Sequence, residues 1–439
     1  VLGSGFTAKP LVDYLFAQSS YQLSVTGLTI AEAEEVTEKR PRTEAVALNI
    51  KDNEALRQRI AAADFVVSML PYEFHSQVGR YCVDLRKSML TTSYAKEEIL
   101  KLDAAARENG VLILKEIGLD PGFDHISAMQ IIDSVKTKGG KIVSLQSYAG
   151  GFPAPDSNNN PWQYKFSWSP KGVLIAAKSD ACYLKDEKII KMPGKAIADH
   201  TWRIRINEFE YEAYPNRDAL PYLKSYRIED TKTIVRATLR YPGWAEMMGA
   251  VNALGLHDER PIEGISGLTY NGLLKRILDV DGAIDPKMYI REKLQLDRNS
   301  STLKNLKWLG IFSSNKKINS RSKISPIDFL VELMLQKMRY AQGERDMVVL
   351  YHDFLAEYPD RQERITAQLV EYGDPNGYMA MSKTVGLPAA VATHLYLQGK
   401  IKLTGVQIPV VPEIYRPVIQ ELLKIGFAYQ ECIEVLESV

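Results

Sequence analysis

The chain has 439 residues, 45% hydrophobic and 25% charged, with 55 Lys and Arg against 54 Asp and Glu. That usage fits two or three globular domains, each with its own core, and carries no general nucleic-acid footprint, although a balanced total can hide a local basic pocket for an acidic small molecule. No apolar run reaches the ~18–20 residues of a membrane-spanning helix; three scattered cysteines, Cys82, Cys182 and Cys432, fit a reducing compartment, and no metal-ligand spacing occurs.

The chain opens on Val1-Leu2-Gly3, which reads as the end of a strand. Part of the natural N-terminus is therefore expected upstream, where a targeting peptide stays open. Up to residue 118, strand signals at 21–26 (YQLSVT), 45–50 (AVALNI), 65–70 (FVVSML), 89–94 (MLTTSY) and 111–117 (VLILKEI) alternate with helical spacing at 7–18, 31–40, 53–63, 75–86 and 96–109. This alternation predicts an α/β fold: a doubly wound parallel sheet with right-handed crossovers. A helix at 125–136 leads into a second texture. The segments 141–148, 164–169, 208–214 and 233–241 alternate polar and apolar residues, as in a mixed or largely antiparallel sheet with one wet face. From about 244 to 339 helical spacing dominates, including 271–280 and 326–338. Strands are then expected at 346–351 and 365–372, and closing helices at 378–398 and 412–425.

Gly3-Ser4-Gly5-Phe6-Thr7-Ala8 matches G-x-G-x-x-A. Gly3 permits the tight turn, Gly5 lets backbone approach a pyrophosphate, and Ala8 allows close helix–strand packing. Helix-start amides would then face the phosphates. The alternative is a plain strand–helix turn, but the motif heads a five-fold β/α alternation. The following segment, VTGLT at 25–29, has neither the acidic residue that holds ribose hydroxyls in NAD enzymes nor an Arg for a 2′-phosphate. Thr26 or Thr29 can serve a free hydroxyl. The missing Arg points to NAD, with NADP as the alternative.

In an open α/β sheet, ligands sit outside the carboxyl ends of the strands. Three such ends carry chemistry: Ser68-Met69-Leu70-Pro71-Tyr72 followed by His75; Thr91-Thr92-Ser93-Tyr94; and Glu116 to His125, which includes Asp120-Pro121 and Asp124. Leu70 and Pro71 are assigned to the cofactor. Asp120, His125 and Tyr94 are the candidates for proton transfer. Asp120 or Asp124 can equally be a helix cap, and His75 can be structural. In the second texture, period two puts Arg236, Thr238 and Arg240 on one strand face and Lys165, Ser167 and Ser169 on another, with Arg217 in a turn. Such clusters suit carboxylate binding, against the alternative of a solvated sheet face.

At these residues the chain resembles the saccharopine dehydrogenase (L-glutamate-forming), or saccharopine reductase, family. The resemblance is carried by VLGSGFTAKP, SMLPYEFH, LTTSYAKEEI, EIGLDPGFDH, GGFPAPDSNNNPWQYKFSWSPKGVL, AYPNRDALPY and RATLRYPGW, and near the end by WLGIF, ERDMVVLYH and YMAMSKTVGLPAAVA. It implies a Rossmann domain at 1–120, a mixed α/β substrate and dimerisation domain at 121–243 with 346–439, whose last helices either stay with it or pack back on the Rossmann domain, and a small all-helical domain at 244–345. It implies a substrate with three carboxylates and a secondary amine, split by an NAD(P)-dependent oxidation through an imine and a carbinolamine into glutamate and a semialdehyde. Gly3, Ser4, Gly5 and Phe6 would hold the cofactor; Ser93, Tyr94, Asp120, Arg217, Thr238, Leu239 and Arg240 would contact the substrate. The family resemblance implies a homodimer; the missing Arg at position 28 is closer to the dehydrogenase half of the bifunctional lysine-degrading synthase, which makes fusion to a lysine-ketoglutarate reductase domain the alternative to a stand-alone enzyme. The expected compartment is the cytoplasm, or the mitochondrial matrix if a transit peptide precedes. The alternatives are another carboxylated secondary amine as substrate and a non-catalytic dinucleotide-binding protein.

Overall fold

The computed structural model describes residues 1–18, 20–94, 97–318 and 321–436. Lys96, where the helix expected at 96–109 begins, lies outside them, as does Ala95 of the quoted LTTSYAKEEI stretch. The chain packs as two compact units: Val1–Ser144, Lys224–Asp230 and Leu350–Val439; and Leu145–Leu223 with Thr231–Val349.

The first unit is built on a parallel sheet. Strands β1 (Leu23–Gly27) and β2 (Thr43–Ala47) pair in parallel, as do β3 (Phe65–Ser68), β4 (Ser88–Thr91) and β5 (Leu112–Leu114) in turn. Leu2 makes parallel bridges to both Thr26 and Ser68. The order is therefore β2-β1-Leu2-β3-β4-β5, that of a doubly wound dinucleotide fold with the strand reversal at Leu2. These strands are short apolar runs because both faces are covered: Val25, Val66, Val67, Met89, Leu90 and Ile113 are all buried. Helices α1 (Ala8–Ala17), α2 (Ile30–Thr37), α3 (Asn53–Ala61) and α4 (His75–Asp84) follow the expected spacing. The helix expected at 96–109 is broken into α5 (Glu97–Leu100) and α6 (Asp103–Glu108).

The far end of the chain completes this unit. The strand Gly405–Gln407 pairs in parallel with β5. The helix Ala380–Leu397 lies along α1, where a Cβ on Gly386 would meet the Thr7 carbonyl at 2.8 Å. This helix thus packs on the dinucleotide fold, and residues 350–439 belong to the first unit. The strand Gln362–Tyr372 also lies here, antiparallel to Gln430–Leu436.

In the second unit, β6 (Lys141–Pro153, from residue 145 on) neighbours β11 (Thr233–Arg240), with β10 (Phe209–Pro215) and β9 (Trp202–Ile206) beyond it; β7 (Ala181–Lys185) and β8 (Lys188–Met192) form a hairpin beside β11. The pairs around β10 and β7 are antiparallel, as expected. Two expectations fail. The charged face of β11 is not wet: Arg236 and Arg240 are 3% and 4% exposed. Residues 164–169 are not a strand. Their backbone is held by loop partners instead, with Asn160 donating to the Tyr164 carbonyl and the Phe166 amide to Met338. Ser169 caps a helix, Pro170–Ala177, through the Gly172 amide, so the Ser-Pro pair was a helix start. In the described part of 244–345 the regular structure is mainly helices linked by loops, with a short ladder of Ile262–Glu263 and Lys323–Ile324.

Candidate active site

The glycine loop sits at the reversal point. Gly3 has φ +104°, and a Cβ there would press on the Met69 carbonyl at 3.0 Å, so glycine lets the loop close on the end of β3 and brings Gly3 against the Met69–Leu70 peptide. The Gly3 amide donates to the Thr26 carbonyl and hydroxyl. Thr26 is buried, so it braces the loop rather than offering a hydroxyl to a ribose. A Cβ on Gly5 would meet nothing within 4 Å. Thr7, at the start of α1, makes no side-chain cap bond. Open backbone plus uncapped helix amides form a cradle of the kind a pyrophosphate fills. Ala8 is fully buried beneath it.

Exposure supplies a further signal. Phe6, Leu28, Ile30 and Tyr72 are large apolar side chains left 44–73% exposed, and each follows a carboxyl end of the parallel sheet. Exposed apolar surface gathered along one rim marks a ligand edge. Pro71 is exposed there and Leu70 and Ser4 are half-buried. Thr29 is engaged otherwise: its hydroxyl accepts from the Glu32 amide, and the Glu32 carboxylate accepts from Leu28 and Thr29 in a capping box.

Two polar networks follow β4 and β5. In the first, the Tyr94 hydroxyl donates to Asp120 Oδ1 at 2.7 Å, and both residues are half-buried. The Ser93 carbonyl accepts from the Glu116 amide at 3.3 Å. Asp120 is not a helix cap: α7 (Phe123–Thr137) starts after Gly122, whose amide Asp124 Oδ1 accepts at 2.6 Å. Asp124 is the residue that braces the helix start. The Asp120 loop is tight, because a Cβ on Gly122 would lie 2.2 Å from the Gly118 backbone.

The second network is internal. His125 is fully buried, with Nε2 3.1 Å from Glu116 Oε2 and Nδ1 2.6 Å from the Tyr226 hydroxyl. Lys115 Nζ lies 2.5 Å from Glu116 Oε1. Burial pushes the Glu116 carboxyl up, but the His125 hydrogen bond and charge, with the Lys115 ammonium, outweigh it and hold it well below the usual carboxylate range. Both ring nitrogens of His125 face protein partners, Glu116 and the Tyr226 hydroxyl, an arrangement that braces this network. Glu116 was named at this strand end but given no role, and Tyr226 was missed from sequence; it stands 101 residues from its partner. His75 is structural too. Ser68 and Thr91 bond its two ring nitrogens at 2.9 and 3.0 Å, and burial pushes it down to about 4.

The basic residues of the second unit divide. Lys165 is buried and paired with Glu344 at 2.5 Å. Arg236 stacks on the Tyr222 ring at 4.5 Å. Arg217 is half-buried at φ +62°, its carbonyl accepting from the Cys182 amide. Thr238 is half-buried. The Leu239 side chain is core, and its carbonyl is taken by Arg240 Nη1 at 2.7 Å. Arg240 is buried and, among the described residues, has no acidic partner. Among those residues, no group of three or more His, Cys, Asp or Glu side chains is placed to hold a metal ion, and no helix is long and apolar enough to cross a membrane.

Two family models cover the chain: the saccharopine dehydrogenase NADP binding domain at 1–114 and the saccharopine dehydrogenase C-terminal domain at 118–427. The chain is 36% identical to the NADP(+), L-glutamate-forming saccharopine dehydrogenase of Schizosaccharomyces pombe, over 98% of each. It is 33% identical to the mitochondrial alpha-aminoadipic semialdehyde synthase of Bos taurus, spanning 98% of this chain but 47% of that protein. The structure of the apo L-Glu-forming saccharopine dehydrogenase from Saccharomyces cerevisiae superposes with a TM-score of 0.84 at 35% identity, covering 99% and 98% of the two chains. The homospermidine synthase of Legionella pneumophila, at 10% identity and a TM-score of 0.57, shares the fold. The reading of NAD over NADP is not supported, since the matching model is an NADP binding domain. The reasoning failed physically because a 2′-phosphate can be held by side chains outside one short loop: Lys51, for example, follows the neighbouring strand β2 and is exposed.

Proposed function

The chain belongs to the saccharopine dehydrogenase family, and from that premise we propose that it oxidises saccharopine to glutamate and 2-aminoadipate 6-semialdehyde, with NADP as cofactor. The observation that carries the reading is the Tyr94–Asp120 pair at the carboxyl edge of the parallel sheet, in a chain whose two parts both match the family. Gly3, Ser4, Gly5, Phe6, Leu70 and Pro71 hold the dinucleotide, which when bound supplies the hydride acceptor. Asp120 takes the proton of the substrate's secondary amine, and the Tyr94 hydroxyl fixes the carboxylate that does so. Loss of hydride from the neighbouring carbon leaves a substrate imine. Asp120 passes that proton to solvent, then takes a proton from the water that adds, and returns it to the amine that leaves as the carbinolamine collapses. Ser93, Arg217, Thr238 and Arg240 bind and orient the carboxylated arms, which lowers the entropic part of the barrier; Leu239 contributes backbone alone.

Absorbance at 340 nm with saccharopine, offering NADP and NAD separately, tests the proposal. Faster turnover with NADP is the expected result; turnover with NAD alone would overturn the cofactor assignment, and none with either the substrate. Gly5→Val gives a separate test. The site is open, so the side chain fits the ligand-free protein but occupies the cradle. The dinucleotide KM should rise at least about 10-fold, ~1.4 kcal/mol of binding, with Tm unchanged; an unchanged KM would remove the loop from the cofactor site.

Further proposals rest on the family alone: a three-domain division at 1–120, 121–243 with 346–439, and 244–345; a homodimer; and fusion to a lysine-ketoglutarate reductase domain, as the partial coverage of the bovine synthase suggests. The mitochondrial name of that relative and the stand-alone fungal relatives leave matrix and cytosol as the two compartments to test by fractionation.

A further inference from the structure

The loop after β1 has no acidic residue of its own in the sequence, yet the fold brings one to it. Glu32, on the first turn of α2, turns its side chain back over Leu28 and Thr29. Its Oε2 accepts the Leu28 amide at 3.0 Å and the Thr29 amide at 3.4 Å, while the Thr29 hydroxyl accepts the Glu32 amide at 3.3 Å. Such a capping box is a common way to start a helix and needs no ligand to explain it. Its place is what matters. The loop abuts the glycine loop, since a Cβ on Gly27 would lie 2.7 Å from Ser4 Oγ. Leu28 and Ile30 beside it are exposed apolar side chains. In a dinucleotide fold the segment after this strand meets the adenosine ribose, where an acid accepts the hydroxyl of NAD and an Arg takes the 2′-phosphate of NADP.

The charges around this loop favour neither dinucleotide strongly. The Leu28 and Thr29 amides are taken by Glu32 and so are not available to cradle a phosphate. The cations that follow α2 are engaged elsewhere. Lys39 pairs with Glu34 at 3.2 Å and Arg40 with Asp13 at 2.6 Å, and Arg42 donates to the Phe16 and Tyr21 carbonyls. Lys51, exposed after β2, can attract a 2′-phosphate, and the Glu32 carboxylate opposes it by like charge. Both amides fall on Oε2, which leaves Oε1 to accept a ribose hydroxyl.

We propose that Glu32 is a specificity-determining residue of the dinucleotide site. Its carboxylate accepts the free 2′-hydroxyl of NAD and opposes the 2′-phosphate of NADP, so that NADP is preferred by a modest factor. The proposal rests on the glycine-loop cofactor site and keeps NADP as the cofactor. A motif window of five residues misses Glu32 because it reaches the loop from the next helix.

Glu32→Gln tests the role, because its amide oxygen still accepts the Leu28 and Thr29 amides while the charge is lost. Dissociation constants for NADP and NAD, measured by calorimetry on the protein without saccharopine, give the readout. The parent protein should bind NADP more tightly than NAD by less than about 100-fold. The variant should widen that ratio at least about 5-fold, the worth of one exposed charge contact. A residue that only caps α2 would shift Tm and leave the ratio unchanged, and that result would overturn the proposal, as would a larger parent ratio. Gly5→Val separates the two levels of the argument. If it weakens both dinucleotides while Glu32→Gln leaves the ratio unchanged, the cofactor site stands and the role of Glu32 falls. If it weakens neither, both fall.

Discussion

Asp120→Asn is expected to lower kcat for saccharopine oxidation by about 10²–10⁴-fold, the range of a lost general acid–base group. Three carboxylates lie on the stretch that follows β5, and their surroundings separate their roles. Glu116 is buried between Lys115 and His125. Asp124 is buried and accepts the Gly122 amide. Asp120 is half-buried, on a tight loop, with the Tyr94 hydroxyl on one oxygen. Asparagine keeps an oxygen for Tyr94 but cannot take a proton, so geometry and Tm should survive while chemistry is lost. The dinucleotide KM should change by less than about 2-fold, because the glycine loop is untouched. Steady-state kinetics beside thermal unfolding check this; a kcat within about 3-fold of the parent protein would move the proton shuttle elsewhere.

The second large effect is expected at Arg240. Arg240→Ala should raise the saccharopine KM by about 10- to 100-fold, the worth of a charge-assisted hydrogen bond in a buried site, with little change in the dinucleotide KM. Lys165 and Arg345 in the same unit are paired with Glu344 and Asp156, so removing either would strand a carboxylate. Removing Arg240 strands none, and no stability loss is expected from a broken ion pair. Equal rises in both Michaelis constants would count against Arg240 as a substrate ligand.

The parallel sheet was legible because its strands are short apolar runs separated by helices of regular spacing, and the rim residues were legible because a doubly wound topology dictates where ligands sit. The strand Gly405–Gln407 was not: three residues carry no period, and β5, which they join, is some 290 residues earlier in the chain. Alternation misled at 164–169, where buried aromatics in an extended loop imitate a half-buried strand. It also misled about exposure in β11, since period two separates the faces of a strand without saying that the charged one is wet. His125 was singled out as a shuttle because an imidazole at a strand end looks reactive. Only the packing of Glu116 and Tyr226 against it shows that it is enclosed. Thr26 failed similarly, its hydroxyl turned to the Gly3 amide.

The most direct single measurement follows glutamate and reduced dinucleotide together when the purified chain is given saccharopine and NADP. Equal molar amounts appearing at the same rate is the expected result. Reduced dinucleotide without glutamate would mean that another bond of the substrate is oxidised, and would contradict the proposed oxidation at the carbon that becomes the semialdehyde.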